Sequence, residues 1–193
     1  MPLDKYLSEY IFKLLGMTDT TFAPSEAQWK RIVTMYESTE QGLVRSVDQK
    51  PFHNSEYFAG AAGLYGTAED YFRFALMLAN EGEFNGKNIL SPQTVQLMSS
   101  AQLPESIPGF PSGQNWGLSV RVITDGAAPG AILTTGSFGW SGAWGTHFWI
   151  DPKEKLVALL MINLTNAGGS DAVTAREFEM DVVAHSRVTA KLT

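Results

Sequence analysis

Cysteine is absent from the 193 residues. That removes disulfides, iron–sulfur clusters, thiolate zinc sites and cysteine nucleophiles from consideration. It leaves the compartment open, because reducing and oxidising surroundings both tolerate a cysteine-free chain. Basic residues are in the minority: 14 Lys and Arg stand against 20 Asp and Glu, a formal net charge of −6. The cations are scattered without forming a stripe, so no nucleic-acid partner is expected. No apolar run approaches the ~18 residues of a membrane span. The longest, Leu156 to Ile162, is far shorter. The N-terminus, Met1-Pro2-Leu3-Asp4-Lys5, is polar from the start and lacks the basic-then-apolar pattern of a signal peptide. The three histidines, His53, His147 and His185, are far apart and never four residues from one another. No metal site and no cofactor are expected. His147 reads as an outward-facing strand residue.

The residues that are present fall into patterns. Leu3, Tyr6, Leu7, Tyr10, Ile11, Leu14 and Leu15 recur at helical spacing and stop at Gly16. Ile32–Tyr36 and Leu43–Val47 predict two short strands joined around Gln41-Gly42. Thr67 and Asp70, three apart, predict a capped helix start with Tyr71, Phe74, Ala75 and Leu78 inside. Asn85-Gly86 predicts a tight turn, and Ser91-Pro92 a further capped helix. Leu103 to Asn115 holds three prolines and two glycines and reads as a loop. Strands are predicted at Trp116–Thr124, at His147–Ile150, and as one continuous apolar strand, buried on both faces, at Leu156–Leu164. Lys153-Glu154 turn between the last two, which makes them antiparallel. Asp171–Arg187 reads as a final helix. The expected architecture is α+β, an antiparallel sheet with flanking helices. It divides into a mainly helical region with a short hairpin over 1–115, and antiparallel strands plus a C-terminal helix over 116–193.

One segment stands out for chemistry. Gly136 to Thr146 carries four glycines, two tryptophans and three hydroxyl residues. Glycine in a strand interior marks a close approach by another backbone or a ligand. A glycine-rich strand beside a cleft offers backbone N–H groups to a developing oxyanion. A glycine-rich hairpin with packing tryptophans explains the same residues. A third reading takes Gly139-Trp140-Ser141-Gly142-Ala143 as a degenerate nucleophile elbow, with Asp171 and His185 as partners. An elbow needs a helix after its serine, and the residues after Ser141 are β-rich.

Four segments, in order, resemble the C-terminal half of the family that includes class C β-lactamases, D-alanyl-D-alanine carboxypeptidases and related esterases. Leu14 to Phe22 is similar to the family's PLGM-x-D-T-x-F signature. Ala61 to Tyr71 is similar to its GGL-x-STA-x-D segment, Ile89 to Val95 to its ILSPETV, and Phe138 to Pro152 to the strand of its third motif and the hairpin after it. The resemblance covers nearly the whole chain and implies a partial β-lactamase/transpeptidase-like fold, with 1–193 as the C-terminal portion of one such domain. It also implies roles. The Ala143 backbone N–H would donate to an oxyanion. Trp140, Ser141 and Gly142 would bind substrate, with Ser141 lining the cleft and Gly142 permitting close approach. Trp140 stands where β-lactamases place a cation, which tilts the implied substrate toward an uncharged ester.

The same resemblance shows what is missing. The family's nucleophile is the serine of S-x-x-K, and no serine in this chain has a lysine three residues on. Tyr36-Glu37-Ser38 matches the short second motif, but it follows the PLGM-like signature, whereas the family's tyrosine precedes it. The chain is therefore expected to be a fragment of an acyl-serine hydrolase, inactive alone. It would meet a small ester or amide substrate only with the N-terminal half, and self-association or pairing with that half would cover its exposed edge. The rival expectation is a non-enzymatic, degenerate family member kept for binding or assembly.

Overall fold

The structure is a computed structural model. It describes residues 1–47, 57–104, 107–109, 111–165 and 173–189. The first helix begins as α1 (Leu3–Leu7), passes through a π-helical segment (Ser8–Phe12) and ends as α2 (Lys13–Leu15). Gly16, left-handed at φ 69°, stops it, and the Met17 N–H closes the end on the Phe12 carbonyl at 2.8 Å. The short α3 (Glu26–Trp29) starts with a full capping box, in which Ser25 and Gln28 each take the other's backbone N–H.

A hairpin comes next, β1 (Tyr36–Thr39) and β2 (Gly42–Arg45). Its strands begin and end a few residues away from the positions predicted from alternation. The helix α4 (Ala68–Ala79) is capped by Thr67, whose hydroxyl accepts from the Asp70 N–H. Asn85-Gly86 joins β3 (Glu83–Phe84) to β4 (Lys87–Asn88). Then α5 (Pro92–Met98) starts from its Ser91 cap, as the Ser-Pro pair predicts.

The rest is one five-stranded antiparallel sheet in the order β5-β6-β7-β8-β9. It comprises β5 (Gln114–Trp116), β6 (Arg121–Ile123), β7 (Phe138–Ser141), β8 (His147–Asp151) and β9 (Leu156–Leu160). The strand predicted at Trp116–Thr124 is thus a hairpin, because the chain turns between Gly117 and Val120. The long apolar strand is also divided. β9 ends at Leu160, and β10 (Leu164–Thr165) pairs parallel with β1 in a separate sheet ordered β10-β1-β2. Only Ala158 of β9 is fully buried, so the expected burial of both faces is halved at this edge of the sheet.

Pleating sorts the side chains into two cores. On one face Val122, Phe138, Phe148 and Ile150 pack with Ala75, Met77 and Leu78 of α4 and with Leu15 and Met17. On the other, Ile123, Trp149 and Ala158 pack with Phe178, Val182 and Val183 of α6 (Val173–Thr189). Trp149 and Ile150 are wholly buried on opposite faces, which fixes β8 as the centre of the domain. The α+β architecture is as the element pattern predicts.

Candidate active-site wall

The glycine-rich segment forms β7 and the turn that leads into β8. Gly139 is the residue that lets these strands meet. A Cβ there would run into the Phe148 carbonyl oxygen and come within 2.6 Å of the Trp149 Cα. Both are backbone atoms with no room to yield. After Ser141 the chain turns: Gly142 N–H donates to the Thr146 carbonyl at 2.7 Å, and Gly145 N–H to the Gly142 carbonyl at 3.1 Å. The turn delivers the chain into β8, so the helix that the nucleophile-elbow reading requires is absent. His185 lies on α6, with Nδ1 against the Asp181 carbonyl; Asp171 lies outside the described residues, as does His53.

The pleat divides the predicted motif. Trp140 faces the α4 side, half-buried, with its ring centroid 4.2 Å from that of Trp116. Ser141 faces the α6 side and is buried. Gly142 starts the turn, and Ala143 is exposed at its outer corner. Among the described residues the Ala143 N–H donates to no protein atom. An exposed, unused backbone donor next to a glycine is what an oxyanion needs.

A cleft of about 380 Å³ opens beside this turn. Trp144 and Thr146 form one side, Gly63 to Ala68 another, and Met35, Met161 and Asn163 a third. At its rim Arg31 makes two 2.8 Å bonds to the Asp19 carboxylate. The donated hydrogen bonds hold the Asp19 carboxyl below its ordinary value. The turn is tied to the small sheet, because the Leu164 N–H donates to the Trp144 carbonyl at 2.9 Å.

Behind the wall lies a cluster the sequence did not reveal. Ser141 Oγ is 2.7 Å from His147 Nδ1, and His147 Nε2 is 3.1 Å from Glu179 Oε1. Arg121 donates to the same Glu179 oxygen. His147 is therefore not the outward-facing residue expected; its side chain is 0 % exposed. The strand is covered on both faces, α4 on one and α6 on the other, so no face of β8 looks to water. Burial works to raise the Glu179 carboxyl, but the hydrogen bond from His147 and the charge of Arg121 outweigh it and hold the carboxyl below its ordinary value.

Among the described residues, no group of three or more His, Asp or Glu is placed to hold a metal, and no helix is long and apolar enough to cross a membrane. Two solved structures share this fold. One is EstCE1, a hydrolase with promiscuous acyltransferase activity, at TM-score 0.77 and 19% identity over 95% of this chain and 51% of that one. The other is a mutant of simvastatin synthase from Aspergillus terreus, at TM-score 0.78 and 20% identity over 97% of this chain and 52% of that one. Among proteins, the chain is similar to Protein Rv1367c of Mycobacterium tuberculosis, 35% identical over 83% of this chain and 43% of that protein. It is also similar to esterase EstB of Burkholderia gladioli, 27% identical over 90% of this chain and 47% of that protein. The chain thus spans about half the length of the relatives it matches. The Beta-lactamase family profile matches residues 1–179, in agreement with the two-faced sheet and its glycine-pinned strand, and the chain belongs to that family.

Proposed function

We propose that this chain supplies the third-motif strand and the oxyanion wall of an acyl-serine hydrolase of the esterase or β-lactamase-like kind. The observation that carries the reading is the exposed N–H of Ala143, which donates to no described protein atom and lies on the turn whose Trp144 and Thr146 line a cleft. In acyl transfer, charge develops on the carbonyl oxygen of the tetrahedral intermediate, and a preorganised backbone donor stabilises it. Trp140, Ser141 and Gly142 form the substrate-binding strand end that delivers this donor. The aromatic Trp140 offers no cation to a carboxylate, which favours a small uncharged ester, and the Burkholderia relative is named an esterase.

The nucleophile lies outside this chain, since no S-x-x-K is present. A wall without a nucleophile gives little rate acceleration, so the chain is inactive alone. Its partner is the half carrying that motif, or a second copy that covers the same surface. The outer edge of β9, Leu156–Leu160, is wholly apolar and pairs with no described strand, the kind of edge that recruits another strand. The missing S-x-x-K also favours a second reading, a degenerate family member used for binding or assembly.

A fluorophosphonate probe tests the first reading. The chain should take up no stoichiometric label, and a labelled serine would refute the placement of the nucleophile elsewhere. Light scattering at micromolar concentration should show an associated species; a monodisperse monomer would remove the case for a partner on the β9 edge.

A further inference from the structure

We propose that Arg121, Glu179 and His147 form a buried positioning relay behind the wall, which orients Ser141 and, through it, the strand end that carries the Ala143 N–H. The role assigned to the relay rests on the oxyanion-wall reading; its internal polarity rests on geometry alone.

Four elements contribute one residue each: Arg121 from β6, Ser141 from β7, His147 from β8 and Glu179 from α6. Ser141 and His147 are direct cross-strand partners. The direction of each bond follows from what each atom is able to do. An ionised carboxylate only accepts. Glu179 therefore accepts from Arg121 and also from His147, which places a hydrogen on Nε2. A neutral imidazole with hydrogen on Nε2 has a bare Nδ1. That nitrogen accepts, and the Ser141 hydroxyl must donate to it. The single hydrogen of Ser141 is thus committed to His147 and is not available for a substrate carbonyl.

The relay has one way to reverse. A protonated His147 donates from both nitrogens, so Ser141 must turn its hydrogen away from the ring. Among the described residues the Ser141 hydroxyl has no second acceptor. The reversed state therefore leaves a buried hydroxyl hydrogen unpaired at the last residue of β7, one step before Gly142. The charged groups facing His147 are Glu179 from α6 and Arg121 from β6. Arg176 of α6 lines a small cavity with Arg121 and Glu179. Leu160 of β9 faces it from the other side, and Trp149 and Phe178 surround it with rings.

Side-chain ¹⁵N NMR of the labelled 193-residue chain tests this. Neutral His147 should carry hydrogen on Nε2 and show a bare Nδ1. Ser141→Ala should keep that tautomer, because Glu179 sets it, whereas Glu179→Leu, which has no acceptor, should lose the preference. A neutral His147 with hydrogen on Nδ1 would overturn the relay, as would an unchanged tautomer in Glu179→Leu. If that variant does not fold, the wild-type tautomer decides. The backbone amides of Gly142 and Ala143 should shift in Glu179→Leu, although Glu179 lies on α6 and touches neither residue. Amides that stay still would refute the positioning role and leave the hydrolase reading intact.

Discussion

Arg121 and His147, on strands separated by β7, converge on one oxygen of Glu179. That oxygen ties the C-terminal helix to the sheet through a buried charge, and the arrangement has a pH signature. The Glu179 carboxyl is held below its ordinary value of 4.5. A depressed carboxyl contributes stability that is present above its unfolded value and is lost as the pH falls through its folded value. Glu179→Gln should therefore cost about 3 kcal/mol at neutral pH, since it leaves the Arg121 charge buried and uncompensated. The gap between variant and wild type should close as the solution is acidified below that ordinary value. Urea titrations across the pH range would show it. A pH-independent gap would mean that Glu179 acts through packing alone.

Gly139→Ala should be among the most damaging single-methyl changes in the chain. The added carbon meets only main-chain atoms of β8, so the strands must part, at about 3 kcal/mol. Gly142→Ala meets the Thr146 side-chain hydroxyl instead, which rotates away. A urea midpoint that falls much further for Gly139→Ala than for Gly142→Ala is the expected result.

Asp70→Ala removes a buried acceptor that takes the Asp19 N–H at 2.8 Å and the Thr20 hydroxyl at 2.9 Å. Two donors are then left partly buried without a partner, at a cost of about 2 kcal/mol. Asp70→Asn, whose side-chain oxygen still accepts, should recover about half of that by thermal denaturation.

Trp116 and Trp140 lie 4.2 Å apart, tilted by 54°. A double-mutant cycle with phenylalanine at each position should return a coupling of about 1 kcal/mol. Additive effects would show that the two rings are held by their other neighbours.

Two helix starts were legible in the sequence because a cap is a local device, although the Ser25 capping box of α3 went unread. Thr67 and Ser91 satisfy backbone donors three residues on, and nothing distant alters that. The Asn85-Gly86 turn and the Lys153-Glu154 turn after β8 were legible for the same reason. The face of His147 was not. In His147-Phe148-Trp149-Ile150 nearly every position is apolar, and the strand is covered on both sides, so the period-of-two signal that assigns faces is silent. Placing Ser141 opposite His147 needed the register of the turn between them, which Gly142 and Thr146 set by a backbone bond. Nothing local marks Glu179 and Arg121 as buried, because Glu and Arg are almost never fully buried unless paired, and their pairing spans 58 residues. The Trp116–Thr124 run failed as one strand because its turn contains no Asn-Gly or Pro to announce it.

The two-residue strand β10 joins structures that would otherwise be independent. Leu164 and Thr165 pair with β1, while the Leu164 N–H holds the Trp144 carbonyl. The small sheet and the turn bearing Ala143 therefore share one pivot. Anything that took hold of the β1–β2 hairpin, far in sequence from the proposed oxyanion donor, would pull on the Asn163–Leu164 peptide unit, which also holds the turn. The hairpin and the proposed donor are in this way mechanically linked, so a contact that moves the hairpin would be felt at the Ala143 N–H as a change of angle.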